Sequence, residues 1–285
     1  MKSASTAVLF PGQGSQTSSM AAVTAANRPD LLEQARRELG DDPFERIGDG
    51  TNFAQPAIYC ASLAHWKQAG SPSGDMLAGH SLGELTALVA GGALSAEEGL
   101  RLAVVRGRLM EEAAQATPGG MMAVLGGGDE VRDVATRFQV TVANDNAPGQ
   151  VVLSGTVDAL TEARRQLRAD GLKAIRLPVA GAFHSPLMAG AAERFRAALE
   201  TVEFNRPHLP VFSSTAAAPF EDPRAGLAAA LTEPVIWRAT LQRMHDGGAR
   251  AYLEAGPGDV LTGLVRRTLP DVEARTLAEE EAVHA

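Results

Sequence analysis

Apolar residues first gather in a short run at residues 6–10 and stop at Pro11-Gly12. A run of that length closed by Pro and Gly predicts a buried strand entering the Gly-rich loop Gly12-Gln13-Gly14-Ser15. Helical patterning follows over 21–40 and 54–69. A second short apolar strand at 76–78 leads into a helix over 82–91. Strands alternating with helices predict a parallel sheet in an α/β architecture.

The pattern changes at Gly119-Gly120. Strand 121–125, helix 129–138, strands 140–143 and 150–154, helix 157–170 and strand 172–178 follow in turn, with residues 144–149 as the loop between the middle two strands. That order, βαββαβ, is the ferredoxin-like split motif. It predicts a small subdomain at 120–180, inserted in a large domain of residues 1–119 and 181–285. Short strands resume at 210–213 and 251–254, and the acidic end, 277–285, reads as a frayed tail.

Composition narrows the picture. With 285 residues, 45% of them hydrophobic, the chain can bury a large core. The net charge of −8 is spread without a basic stripe, which argues against nucleic acid as a partner. No stretch approaches the ~18 apolar residues of a membrane span, and the N-terminus lacks a secretory pattern, so a cytoplasmic protein is expected. The single cysteine, Cys60, lies in an apolar run and reads as a buried, inert thiol.

Chemistry concentrates at Gly79-His80-Ser81-Leu82-Gly83-Glu84. This is a G-x-S-x-G pattern between an apolar strand and a helix. A serine on so sharp a turn needs flanking residues without side chains, and the turn projects its hydroxyl from the sheet edge. The helix amides that follow favour developing negative charge, and the Leu82 amide can donate to an oxyanion. A Gly-rich turn with an incidental serine gives the same letters. A serine also needs a base. Of six histidines, His80 adjoins the serine but points elsewhere on the turn, while His65, His208, His245 and His284 read as structural or exposed. His184, in a small-residue loop between a strand and a helix, is the candidate, since such loops hold positioned catalytic groups.

Several ordered segments then resemble one family, the malonyl-CoA:acyl carrier protein transacylases and the related acyltransferase domains of polyketide synthases. They are FPGQGSQ at 10–16, FAQPAIYCASLA at 53–64, GHSLGE at 79–84, RGRLM at 106–110, NDNAPGQVVLSG at 144–155, GAFHSPLM at 181–188, PVIW at 234–237 and EAGPGDVLTGL at 254–264. The resemblance covers nearly the whole chain. It implies a large α/β-hydrolase-like domain with the small ferredoxin-like insert. It implies Ser81 as nucleophile, His184 as general base, and the amides of Gln13 and Leu82 as oxyanion hole. Arg106 matches the arginine that grips the free malonyl carboxylate, which a planar guanidinium can do with two parallel bonds. The family orients its histidine by main-chain carbonyls, and Asn144 and Ile236 match those positions. Gln55 falls near the pocket floor, and Phe183 lies in the segment that accompanies malonyl selection. Malonyl-CoA and an acyl carrier protein are the implied partners. No metal and no cofactor is implied, coenzyme A being carried by the substrate.

Other readings share parts of this pattern. An α/β-hydrolase-type thioesterase has the same elbow but needs a carboxylate behind its histidine. A non-catalytic scaffold would tolerate loss of Ser81 or His184. The same transfer could also serve a polyketide synthase or a malonate-decarboxylase system.

Overall fold

The computed structural model describes residues 5–179 and 181–279. Strands β1 (Ser5–Phe10) and β2 (Met76–Gly79) pair in parallel, with Ala7 opposite Met76 and Phe10 opposite Gly79. Four strands of a second sheet follow, β3 (Gly119–Leu125), β4 (Thr141–Ala147), β5 (Gln150–Thr156) and β6 (Lys173–Arg176). The chain then rejoins the first sheet through β7 (Val211–Ser213), β8 (Ala218–Pro219), β9 (Ala249–Glu254) and β10 (Glu273–Thr276).

The first sheet has the order β10-β9-β1-β2-β7-β8 and is parallel except for the β7–β8 pair. β1 is central, so both its faces are covered, as parallel sheets require. Val8 and Phe10 enter one core with the helices Thr51–Gln68 and Ala96–Ala116. Ala7 and Leu9 enter the opposite core with Trp237, Leu241 and Leu264. This period of two explains why the run at 6–10 is apolar throughout.

The second sheet is antiparallel in the order β4-β5-β3-β6, the order expected of a ferredoxin-like βαββαβ unit. Its helices Asp129–Arg137 and Val157–Ala169 close a separate small core around Val124, Leu153, Leu160 and Leu167.

Three local expectations change. The strand expected at 140–143 continues to Ala147, so the polar residues 144–147 are strand and not loop. Register shifts interrupt β4, and Asn144, Asp145 and Asn146 are each buried, with Asp145 paired to Arg132 and Arg238 on the side away from Asn144 and Asn146. The helix expected over 21–40 is two helices, Met20–Asn27 and Pro29–Leu39, because Arg28 leaves helical geometry (φ −139°, ψ 56°) and Pro29 restarts the helix at its first position. Of the expected tail, Leu277 is buried in the main core. Residues 280–285, His284 among them, lie outside the described residues.

Candidate active site

The elbow at the end of β2 is held by direct glycine contact. A Cβ on Gly79 would stand 1.9 Å from the carbonyl carbon of Gly83, and one on Gly83 would stand 2.0 Å from the Phe10 carbonyl oxygen. Neither position has room for a side chain. Between them Ser81 takes a left-handed backbone, φ +53°, which a β-carbon disfavours. The helix Gly83–Ala90 starts two residues later.

Two side chains converge on the hydroxyl so presented. His184 Nε2 lies 2.8 Å from Ser81 Oγ, and Arg106 Nη2 donates to the same oxygen at 3.0 Å. On the far side of the imidazole, Nδ1 lies 2.7 Å from the Ala230 carbonyl oxygen and 3.3 Å from that of Glu233. Carbonyls only accept, so Nδ1 carries the proton and Nε2 presents its lone pair to the serine. Burial, then the charge on Arg106 and the neighbouring His80, push the His184 pKa down to about 3, against the two carbonyls that raise it. The resting imidazole is therefore a neutral base.

The histidine is thus oriented by main-chain carbonyls, but not by those of Asn144 and Ile236. The Ile236 carbonyl is committed to Thr240, whose amide and hydroxyl it accepts at the start of the helix Trp237–Asp246. Asn144 pairs with Val235 as an isolated bridge, in which the Val235 amide donates to Ala143 and the Asp145 amide donates to Val235. This bridge fastens the segment that carries Ala230 and Glu233, so Asn144 and Ile236 flank the support without being it. The sequence carried no sign of Ala230 or Glu233, because any residue type supplies a carbonyl.

Arg106, from the helix Ala96–Ala116, is only 3% exposed. Its Nη1 donates to Gln55 Oε1 at 2.8 Å. Gln55 Nε2 in turn donates to Thr51 Oγ1 at 3.1 Å, and Thr51 Oγ1 donates to Gln13 Oε1 at 2.8 Å. This chain ties the guanidinium to the Gly-rich loop. The loop itself abuts the elbow, where a Cβ on Gly12 would meet the His80 carbonyl oxygen at 2.6 Å and the Leu82 nitrogen at 3.7 Å. Burial lowers the Arg106 pKa to about 10, and the nearby charge of Glu84 opposes that fall. The group stays cationic at neutral pH.

His80 packs edge to face on Trp237, with ring centres 5.3 Å apart, and its Nε2 lies 2.9 Å from Asn146 Oδ1. Gln13, Gln55, Ser81, Leu82, Arg106, Asn144, Phe183 and His184 all line one cavity of about 420 Å³ between the two sheets, and Ile236 does not. Met121, Val152 and Leu177 form its apolar wall on the side of the second sheet. A serine hydroxyl, a neutral imidazole and a buried cation within one cleft suit attack on a carbonyl compound that bears an anionic tail.

Comparison with known proteins agrees with this chemistry. The family described as "Acyl transferase domain" matches residues 41–282. The polyketide biosynthesis protein ThaF of Burkholderia thailandensis is 38% identical over 284 residues, covering 93% of this chain, and the chain spans 24% of that protein. The malonyl CoA-acyl carrier protein transacylase of Escherichia coli (strain K12) is 36% identical over 302 residues, covering 98% of this chain and 97% of that one. The solved malonyl CoA-acyl carrier protein transacylase of Coxiella burnetii superposes with a TM-score of 0.90 at 32% identity, covering 99% of this chain and 96% of the other.

Proposed function

The chain belongs to the acyl transferase domain family, and from that premise we infer that it moves a malonyl group from malonyl-CoA to the phosphopantetheine thiol of an acyl carrier protein. The observation that carries the reading is the convergence of His184 Nε2 and Arg106 Nη2 on one hydroxyl, Ser81 Oγ. The enzyme is an acyltransferase serving fatty-acid or polyketide biosynthesis.

The malonyl carboxylate docks on Arg106, a charge-assisted contact of the kind a guanidinium makes best. His184 Nε2 takes the Ser81 proton as Oγ attacks the thioester carbonyl. The amides of Leu82 and Gln13 receive the oxyanion, whose charge offsets the cost of an imidazolium in this buried place. The carbon–sulfur bond breaks, the proton passes to the coenzyme A sulfur, and a malonyl-Ser81 ester remains. The thiol of the carrier protein then repeats the steps in reverse, which gives ping-pong kinetics. Gln55 holds the guanidinium in place, and Phe183 borders the acyl group. No metal or redox cofactor enters, because coenzyme A arrives with the substrate.

Residues 120–180 act as an insert that walls the acyl cleft, within a large domain of 1–119 and 181–285. The separate core of the second sheet supports that division. Among the described residues no helix is long and apolar enough to cross a membrane, in keeping with a reaction carried out in the cytoplasm. A thioesterase would place a carboxylate behind the histidine, whereas Nδ1 here faces two carbonyls. The likeness to ThaF favours a polyketide carrier as a second reading of the partner.

The test is intact-mass spectrometry after mixing with malonyl-CoA alone. A malonyl adduct in the wild type that vanishes in Ser81→Ala supports the scheme, and a wild type that takes no acyl group sinks it. Assay with fatty-acid and polyketide carrier proteins then decides the pathway.

A further inference from the structure

Glu84, three residues beyond the nucleophile, is 1% exposed. Its Oε1 accepts from the Ser214 amide at 2.6 Å and from the Ser214 hydroxyl at 3.0 Å. Its Oε2 is buried with no hydrogen-bond partner. The elements packed on its helix offer it little charge. β1, β2 and β7 carry no ionisable side chain at all. The helix Thr51–Gln68 brings Tyr59 and Cys60, both fully buried, with the Tyr59 hydroxyl turned to the Ala96 carbonyl, and it bears His65 and Lys67 only in its last turn. The helix Ala96–Ala116 brings Arg106, the one cation that acts on Glu84. Arg106, for its part, bonds only neutral groups, Gln55 and Ser81, and among the described residues no carboxylate contacts it directly. Glu84 is therefore the resident countercharge of a buried guanidinium. A buried site holding one cation accommodates one anion far better than two.

We propose that Glu84 is a specificity-determining residue that gives up its negative charge when a malonyl carboxylate reaches Arg106, so that malonyl binding takes up one proton from solvent. The inference rests on the malonyl-transfer reading above. The proton moves from buffer to the Glu84 carboxylate, and no covalent bond changes. An acyl group without a carboxylate, such as acetyl, leaves the Arg106–Glu84 pair undisturbed and takes up none. Burial raises the Glu84 pKa to about 7, so the group can be titrated in either direction near neutrality. The sign follows: ionised Glu84 competes with the malonyl carboxylate, so malonyl affinity weakens as pH rises through that range. Acetyl affinity does not.

The experiment is isothermal titration calorimetry of Ser81→Ala, which cannot form the ester, with malonyl-CoA and acetyl-CoA. It is run at about pH 8 in two buffers of different ionisation enthalpy, so that the difference in heat counts protons. Uptake of roughly one proton with malonyl-CoA beyond that with acetyl-CoA, abolished by adding Glu84→Gln, is expected. Equal uptake with the two thioesters, or uptake that survives Glu84→Gln, overturns the proposal. If the double variant does not fold, the dissociation constants of the chain that keeps Glu84 decide. A malonyl-CoA constant rising up to about tenfold per pH unit above neutrality, with acetyl-CoA flat, supports it, and two flat profiles overturn it. The reading of function fails separately: a wild type that is malonylated while its binding stays proton-neutral defeats only the role of Glu84, whereas a wild type that takes no malonyl group defeats both.

Discussion

Ser81 and His184 share one unusual backbone state. Both are left-handed, at φ +53° and φ +54°, although 103 residues separate them and neither is glycine. A β-carbon in this region costs on the order of 1 kcal/mol or more. That strain aims the hydroxyl and the imidazole at each other. Ser81→Gly should relieve it and Ser81→Ala should not. Both variants lose the acyl adduct, and the glycine variant should be the more stable of the two by about 1 kcal/mol in urea unfolding.

The glycines around the elbow are required for space. Gly79→Ala and Gly83→Ala each drive a methyl into backbone at about 2 Å, where nothing flexible can give way. Loss of several kcal/mol, or failure to fold, is expected of each. Gly190→Ala is the control. It lies in the first turn of the helix Ala189–Leu199 with nothing within 4 Å of the new methyl, so it should be neutral or stabilise by up to ~1 kcal/mol.

Arg106→Ala should act on substrate choice more than on chemistry. Hydrogen bonds to a charged partner are worth ~1.5–3 kcal/mol, so kcat/KM for malonyl-CoA should fall roughly 10- to 150-fold. The value for acetyl-CoA should change far less, and the ratio of the two in a transfer assay is the measurement. An unchanged ratio would remove Arg106 from carboxylate recognition.

The depressed pKa of His184 has two consequences. With saturating acyl-CoA, acylation should keep its base well below pH 6, since the folded imidazole protonates only near pH 3. Stability should fail first. Below its ordinary value of 6.5 the unfolded chain binds a proton at His184 that the folded chain refuses, so stability present above 6.5 is lost as pH falls toward 3. The slope is at most ~1.4 kcal/mol per pH unit. Buried Glu84 and Glu254, each raised to about 7 from 4.5, act oppositely and favour the folded chain less as pH rises between those values. His184→Ala should therefore flatten the acid side of a plot of Tm against pH.

Cys60 is fully buried, and burial pushes its thiol well above the ordinary range. A thiol reagent should label it only after the chain is unfolded.

Where a residue type was itself the message, the sequence could be read directly. The G-x-S-x-G elbow, the small-residue loop at His184 and the βαββαβ order all appear where pattern placed them. Arg106 is different: nothing in its own surroundings sets it apart from a solvated helix residue, and only likeness to relatives marks it. The carbonyls of Ala230 and Glu233 stayed hidden because backbone contacts leave no trace in residue identity. β4 was cut short because a run of Asn and Asp resembles a loop until its bulges and its bridge to Val235 supply partners. Glu84 is the one ionisable residue of the helix Gly83–Ala90 and is buried there among mostly apolar neighbours, a pattern that calls for a balancing group.

The loop that presents His184 begins where β6 leaves the second sheet, and its imidazole rests on a segment that β4 of the same sheet fastens at Val235. Pocket wall and the His184 imidazole are thus inherited together. A chimera that imports only the second sheet from a relative would bring a new acyl selectivity seated against a foreign histidine loop and a foreign anchor. The unit that evolution or an engineer can exchange intact must include the return segment through His184 and the strip from Ala230 to Val235. Substrate range in this architecture should drift by point changes along the wall more readily than by wholesale transplantation.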